Sequence, residues 1–166
     1  MKKINKAKEN KILNTMRLEF ASISENESFA RGTVAAFASQ VNPTLDEIND
    51  VKTAISEAVT NCVVHAYAKN KKATNKIVVE CDLYADALTV SITDFGMGIP
   101  NIEKAMQPFY TTKPDEERSG MGFTVMQSFM DTLKVVNNQG GGTTITMQKF
   151  FDSLSNTNDK RASGDV

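Results

Sequence analysis

The clearest pattern in this chain lies in Ile55-Ser-Glu-Ala-Val-Thr-Asn-Cys-Val-Val-His-Ala-Tyr67. Residues 53–68 predict a helix in which Glu57 is the only formally charged side chain. Apolar residues recur with a 3.6-residue period and form one broad face: Ile48, Val51, Ile55, Ala58, Val59, Cys62 and Val63. Short polar side chains occupy the opposite face: Thr53, Ser56, Glu57, Thr60 and Asn61. Such a helix buries its apolar face against the rest of a core.

Glu57 and Asn61 stand one helical turn apart on the polar face. A solvated helix face is usually richer in Lys, Arg and paired Glu than this one. A carboxylate beside an amide oxygen suits a general base next to a ligand for a hard cation. The pair is therefore a candidate site, with an ordinary solvated pair as the alternative.

The composition is that of a globular protein with one domain. The chain has 166 residues, a formal net charge of −1 and 40% apolar residues. This charge balance argues against duplex DNA as a direct partner. Cys62 and Cys81 lie in apolar stretches without metal-type spacing, which favours free thiols in a reducing compartment. The sequence has no apolar run of membrane-spanning length, so we expect no membrane association and a cytoplasmic location.

The ends of the chain are predicted to be tails. Residues 1–14 are rich in Lys and Asn and predict a flexible N-terminal tail. Residues 152–166 are polar, without periodicity, and predict a disordered C-terminal tail. One domain over residues 15–151 is expected between them.

The segment before the Glu57 helix predicts a strand and another helix. Residues 16–21 alternate apolar and polar side chains, as a strand does. Ser24 and Glu27 have the spacing of a capping box that opens a helix through about Val41. On this helix Phe29, Ala36 and Phe37 are predicted to face inward. Arg31 is predicted to lie away from these three residues. Thr44 and Glu47 form a second capping box, which opens the long helix.

The segment after the long helix predicts a sheet with glycine-rich loops. Residues 76–84 and 87–93 predict an antiparallel hairpin, and residues 133–136 and 143–150 two further strands. Residues 101–106 can form a short helix after Pro100, and Ser119-Gly-Met-Gly-Phe123 is expected to lead into another helix through Asp131. The composition of residues 107–118 is that of a mobile loop. The predicted fold class is therefore α+β, a two-layer sandwich of a mainly antiparallel mixed sheet with helices on one face.

Two glycine-rich loops stand out in the sequence, and the second of them could bind a phosphate. Asp94-Phe-Gly96-Met-Gly98 follows a strand, but it lacks the third spaced glycine of a dinucleotide-binding turn, and no P-loop motif occurs. Ser119-Gly-Met-Gly-Phe123 opens a helix, where backbone N–H groups can approach a phosphate closely. Lys113 and Arg118 in the preceding loop could add positive charge.

The order of these motifs resembles that of the GHKL superfamily of ATPases and kinases, which includes the ATP domains of histidine kinases. Its four conserved boxes match Glu57-x-x-x-Asn61, Asp94-x-Gly96-x-Gly98, Ser119-Gly-x-Gly122 and Gly142-Thr143. Within the superfamily, the amino-acid sequences of three segments resemble those of the anti-sigma F factors of sporulating bacteria: residues 26–31, 56–61 and 107–123. The resemblance covers about residues 16–150 and implies the Bergerat type of ATP-binding fold.

The resemblance implies ATP and Mg²⁺ as the cofactors. Asp94 would accept a hydrogen bond from the adenine amino group, which favours ATP over GTP, and Thr143 would support the same end of the base. Gly96 and Gly98 would let the backbone close around adenine and ribose. Asn61 would bind Mg²⁺ through its amide oxygen. The remaining nucleotide contacts would come from a lid that the γ-phosphate orders: Thr111, Lys113, Arg118, Ser119, Gly120, Met121, Gly122 and Phe123.

The resemblance also implies an activity and partners. Glu57 would be the general base that activates a serine hydroxyl on an anti-anti-sigma protein. The chain, as a homodimer, would hold the sporulation sigma factor F, with Arg31 in the shared partner surface. The alternatives are a general-stress anti-sigma kinase and a nucleotide-gated binding module without physiological kinase activity. His65 could be a phosphoacceptor, but structural packing is the favoured interpretation.

Overall fold

A single five-stranded sheet forms one layer of the computed structural model, which describes residues 11–110 and 121–152. The strands are β1 (Asn14–Ala21), β2 (Lys76–Leu83), β3 (Ala87–Asp94), β4 (Thr132–Asn137) and β5 (Thr143–Phe150). Their order in space is β1-β2-β3-β5-β4, and each pair of neighbours is antiparallel. The prediction of a mainly antiparallel sheet is confirmed.

Helices form the second layer on one face of the sheet. They are α1 (Glu25–Ala38), α2 (Leu45–Asn61), α3 (Ile102–Ala105) and α4 (Gly122–Phe129). A 3₁₀ turn follows α1 over Ser39–Val41, and a π-helical segment follows α2 over Cys62–Ala66. The core lies between the layers and joins residues of α1, α2 and α4 to one face of the strands. The predicted two-layer α+β fold is confirmed.

The alternation of side chains along β3 places the end of this strand under the helices. Leu88, Val90 and Ile92 are fully buried, whereas Ser91 and Thr93 lie on the opposite face and bond to hydroxyls of β5. Because side chains alternate with a period of two, Asp94 falls on the same face as Ile92. The last residue of β3 is therefore a buried carboxyl group.

Helix α2 begins and packs as its sequence predicts. The Thr44 hydroxyl accepts from the Glu47 amide at 3.2 Å, and the Thr44 amide donates to the Glu47 carboxylate at 2.7 Å. These two bonds confirm the capping box. The predicted apolar face is buried or partly buried in the core, and Glu57 and Asn61 are half-buried.

Helix α1 departs from its prediction in two respects. The Ser24 side chain makes no capping bond, because Ser24 has α-helical φ and ψ and its carbonyl accepts from the Glu27 amide at 3.2 Å. The Glu27 carboxylate accepts from the Ser56 hydroxyl of α2 and pairs with Arg31 at 3.7 Å. Phe29 and Ala36 are exposed, and of the three residues predicted to face inward only Phe37 is buried. The buried residues of this helix are Ala30, Val34, Ala35, Phe37 and Ala38.

Several predictions lie outside the described residues. They concern most of both tails and five of the lid residues: Thr111, Lys113, Arg118, Ser119 and Gly120. Within the described ranges, no helix has both the length and the apolar character needed to cross a bilayer.

Candidate functional site

A cavity of about 590 Å³ opens between α2, the π-helical segment, the loop after β3 and the start of α4. Cavities of this size hold small ligands in proteins. The cavity brings together these predicted site residues: Glu57, Asn61, Asp94, Gly98, Met121, Gly122, Phe123 and Thr143. Gly96 packs behind its wall, and Arg31 lies outside it.

Asp94 forms the buried polar end of the cavity, with only 5% of its surface exposed. Its Oδ1 atom accepts from the Gly96 amide at 3.0 Å and from the Thr143 amide at 3.2 Å. Burial raises the pKa of this carboxyl group, and the two amides and the Cys62 thiol partly oppose the rise. The two amides hold the carboxylate in one orientation toward the cavity.

Cys62 supports Asp94 from the π-helical segment. Burial raises the pKa of the Cys62 thiol well above its ordinary value, and the neighbouring Asp94 charge and hydrogen bond raise it further. The thiol is therefore protonated, and it lies buried beside the carboxyl group.

The start of α4 lies against the polar face of α2. A Cβ atom added at Gly122 would sit 3.2 Å from both side-chain amide atoms of Asn61 and 3.3 Å from Glu57 Oε2. A glycine here leaves the helix N-terminus this close to the acid and the amide without displacing either side chain. Backbone N–H groups at such a helix start favour an anion. An anionic group bound here would meet Glu57 and Asn61 at once.

The loop after β3 is fixed to the π-helical segment by backbone contacts. The Met97 amide donates to the Ala66 carbonyl at 2.9 Å. A Cβ atom at Gly96 would lie only 2.0 Å from the same carbonyl oxygen, so a glycine is required there. Gly96 thus shapes the cavity wall without lining the cavity.

Asn137, at the end of β4, holds the same loop from the other side. Its side-chain amide accepts from the Ile99 amide at 2.9 Å and donates to the Ile99 carbonyl at 2.8 Å. Gly98 has a positive φ of 74° and lies against this side chain. Asn137 therefore couples the Gly98 turn to the sheet.

Sequence reasoning missed Asn137, Cys62 and Tyr67 as parts of the site. The Tyr67 hydroxyl accepts from the Phe95 amide at 2.8 Å and donates to the Lys76 carbonyl at 2.6 Å. Each of the three acts through a partner distant in sequence, so no local pattern marks it. An Asn before a glycine-rich turn was the one available signal, and it is also common in ordinary turns.

Positively charged and titratable groups complete the cavity lining. Lys69 and Lys104 line it, and Lys104 lies 5.1 Å from the centre of the Tyr110 ring. These ammonium groups suit a ligand that carries several negative charges. His65 also lines the cavity and is half-buried.

The donor set near Asn61 fits a magnesium ion that a phosphate ligand helps to hold. Residues 11–110 and 121–152 contain no group of three His, Cys, Asp or Glu side chains that could bind a metal alone. Mg²⁺ typically uses one or two protein oxygens together with substrate phosphates and water. The amide oxygen of Asn61, beside Glu57 and the α4 N-terminus, matches that requirement.

The two-layer fold and its cavity define a histidine kinase-like ATPase domain. The profile of the family described as "Histidine kinase-like ATPase domain" matches residues 20–149. Among solved structures, the RsbU and RsbW domains of Rv1364c from Mycobacterium tuberculosis align with a TM-score of 0.59 at 19% identity. That alignment covers 82% of this chain and 32% of the other, and it supports the fold.

Curated relatives show which branch of this family the chain belongs to. The anti-sigma F factor of Clostridium beijerinckii is 54% identical over 142 residues, which are 86% of this chain and 98% of the relative. The anti-sigma F factor of Clostridium acetobutylicum is 58% identical over 139 residues, or 83% of this chain and 94% of the relative. The chain belongs to the anti-sigma F factors, and it has their kinase-like ATPase domain.

Proposed function

We propose that this chain is an ATP-dependent serine kinase that sequesters the sporulation sigma factor F and phosphorylates the anti-anti-sigma protein that opposes it. The observation that carries the proposal is the contact between Gly122 at the start of α4 and the Glu57 and Asn61 side chains. It gathers an anion-binding helix start, a carboxylate and an amide oxygen at one end of the cavity.

The opposite end of the cavity suits an adenine base. Oδ1 of Asp94 is engaged by two backbone amides, which orient the carboxylate as an acceptor for the adenine amino group. Guanine has a carbonyl oxygen at that place, so two acceptors would face each other unsatisfied. We therefore infer that Asp94 and Thr143 select ATP over GTP.

The phosphates would lie toward Gly122, with Lys69 and Lys104 as further positive charges on the cavity wall. The predicted lid residues, Lys113 and Arg118 among them, would close over the γ-phosphate. Asn61 would hold the magnesium ion, which neutralises charge on the phosphates when bound.

Transfer would use Glu57 as the base. The hydroxyl oxygen of an acceptor serine attacks the γ-phosphorus while its proton passes to Glu57, and the bond to the ADP oxygen breaks. The products are phosphoserine and ADP, and Glu57 then releases the proton to water. Placement and charge neutralisation supply most of the catalysis in such reactions.

The partners follow from the family. Relatives that are more than half identical carry the name anti-sigma F factor, and sigma factor F is the partner that this name implies. We infer a cytoplasmic homodimer that contacts both protein partners through a surface containing Arg31. A nucleotide can change which partner this surface binds only if the protein has a different affinity for each partner in its two nucleotide-bound states.

Incubation with ATP labelled at the γ-phosphate, Mg²⁺ and the anti-anti-sigma protein of the same genome tests the proposal. We expect label on one serine of that protein, and none when that serine is replaced by alanine. ATP hydrolysis without labelling would instead identify a nucleotide-gated binding module. Capture of a general-stress sigma factor instead of sigma factor F, with ATP present, would identify a stress-type anti-sigma kinase.

A further inference from the structure

A second cavity, of about 450 Å³, lies beside the nucleotide cavity on the outer side of α1 and α2. It is lined by Arg31, Asn49, Lys52, Thr53, Ser56 and Glu57. Glu57 lines both cavities, whereas Asp94 and Thr143 line the first alone. The side chain assigned as the base thus stands where the two cavities meet.

The two cations of the second cavity differ in their partners. Arg31 Nη1 lies 3.7 Å from the Glu27 carboxylate and 3.4 Å from the Ser56 hydroxyl. Lys52 is half-buried, and in the described part of the chain its ammonium group makes no ion pair or hydrogen bond. In contrast, Lys149 of β5 is bonded to Asp50 of α2 at 2.7 Å. Lys52 therefore brings to the cavity an ammonium group that pairs with no described side chain, and the carboxylate that shares the lining is that of Glu57.

We propose that the second cavity binds the segment of the acceptor protein that carries the phosphorylated serine, and that Lys52 pairs with an acidic side chain flanking that serine. The inference rests on the proposed kinase function. It adds a binding site for the acceptor and a residue that selects acceptors by charge.

The position of Glu57 favours this occupant. A general base must lie within hydrogen-bonding distance of the hydroxyl that it deprotonates. The attacking oxygen must also reach the γ-phosphorus opposite the leaving ADP, so it approaches from outside the nucleotide cavity. The second cavity offers the space on that side of Glu57, and the Asn49 amide and the Thr53 hydroxyl in its lining can hydrogen-bond an extended backbone.

Variants of Lys52 test the inference through the KM for the acceptor protein. We expect Lys52→Ala to raise this KM roughly threefold and Lys52→Glu roughly tenfold, the scale of a partly exposed charge pair lost or reversed. The kcat and the affinity for ATP should stay within about twofold of the wild-type values, because a docking charge acts before the chemical step. The matched control is Lys134→Glu, which makes the same charge change at an exposed position on β4.

Charge reversal in the acceptor identifies the partner of Lys52. The acidic residues that flank the acceptor serine are replaced with lysine, one at a time. One of these acceptor variants should bring the KM of Lys52→Glu back to the wild-type value, and the same variant should raise the KM of the wild-type kinase. A KM of Lys52→Glu equal to that of Lys134→Glu, or no rescue by any reversal, would overturn the inference.

Acceptor binding in the presence of a non-hydrolysable ATP analogue separates this inference from the kinase proposal. If the wild type binds the acceptor in this assay but transfers no phosphate to it when ATP is supplied, the kinase proposal fails, and weaker binding by Lys52→Glu would still support the docking site. If the wild type neither binds nor phosphorylates the acceptor, both fail.

Discussion

Asp94 is a carboxyl group buried in the apolar face of a sheet, and its position should make the fold less stable at neutral pH than it could be. Burial raises the pKa of this group above its ordinary value of 3.8. The ordinary value applies to the unfolded chain, and the raised pKa applies to the folded protein. Between the two, the folded protein binds more protons than the unfolded chain, so the free energy of unfolding falls as the pH rises through the folded pKa.

We therefore expect Asp94→Asn to raise the free energy of unfolding of the nucleotide-free protein at neutral pH. The asparagine carbonyl can still accept from the Gly96 and Thr143 amides, and the charge is gone. The gain should vanish below pH 3.8, where wild-type Asp94 is protonated in both states. Urea unfolding at both pH values measures it, with Asp82→Asn on the outer face of β2 as the control. A less stable variant at neutral pH would mean that the hydrogen bonds need the charge.

Substitution of Glu57 should lower the rate of phosphoryl transfer without weakening nucleotide binding. Glu57→Gln keeps the shape of the side chain but cannot accept a proton, and Glu57→Ala removes it altogether. We expect either change to lower the transfer rate roughly 100- to 10,000-fold, the usual contribution of a general base. ATP affinity, measured with a fluorescent analogue, should change little, and Glu103→Gln on the exposed face of α3 should change neither quantity. An equal loss of affinity would assign Glu57 to nucleotide binding.

The π-helical segment Cys62–Ala66 is the element that joins the two ends of the site. It begins directly after Asn61, contributes Cys62 to Asp94, and receives the Met97 amide at Ala66. Segments of this kind occur often at functional sites, because the extra residue per turn shifts the side chains that follow. Here it brings the Ala66 carbonyl against Gly96.

Gly96→Ala should test that close packing. The new Cβ atom would lie 2.0 Å from the Ala66 oxygen and 2.4 Å from its carbonyl carbon, so backbone must move. We expect the free energy of unfolding to fall by about 1–3 kcal/mol and ATP binding to weaken with it. Gly32→Ala is the control, because no atom lies within 4 Å of its added Cβ and a helical Gly→Ala change stabilises by about 0.5–1 kcal/mol. Equal stability of the two variants would contradict the packing argument.

The elements that could be predicted from sequence are those with a local cause. The capping box of Thr44 and Glu47 and the hairpin β2–β3 depend on neighbours in the chain, and both are present. Ser24 and Glu27 have the same spacing as a capping box, but Ser56, 29 residues away, takes the carboxylate. The π-helical segment has no compositional mark, since α- and π-helices use the same residue types. Sequence therefore predicts where a helix begins better than how it ends.

At the scale of the whole molecule, the cavity joins residues that the chain keeps far apart. Asn61, Asp94, Gly122 and Thr143 line one cavity because the β3–β5 pairing and the α2–α4 contact bring their elements together. The order of the glycine motifs made this convergence predictable as a family resemblance. Asn137 and Tyr67 fasten the cavity by contacts that only the folded chain defines.

A ligand that spans such a cavity should stabilise the entire domain. At an ATP concentration 100 times its Kd, with Mg²⁺ present, binding adds about 2.7 kcal/mol to the free energy of unfolding. For a domain of this size we expect Tm to rise by about 5–10 °C. GTP at the same concentration should raise Tm by several degrees less, since its carbonyl faces Asp94 without a donor.

Magnesium should account for part of that rise through Asn61. We expect a chelator to reduce the ATP-induced Tm shift of the wild type. The Tm shift of Asn61→Ala should already be small with Mg²⁺ present, and the chelator should change it little. Thermal unfolding with ATP or GTP, each with Mg²⁺ or with chelator, measures both effects in one series. Equal shifts for the two nucleotides would remove Asp94 from base recognition. A shift in Asn61→Ala that still depends on magnesium would place the ion on other residues, because an alanine offers it no side-chain oxygen.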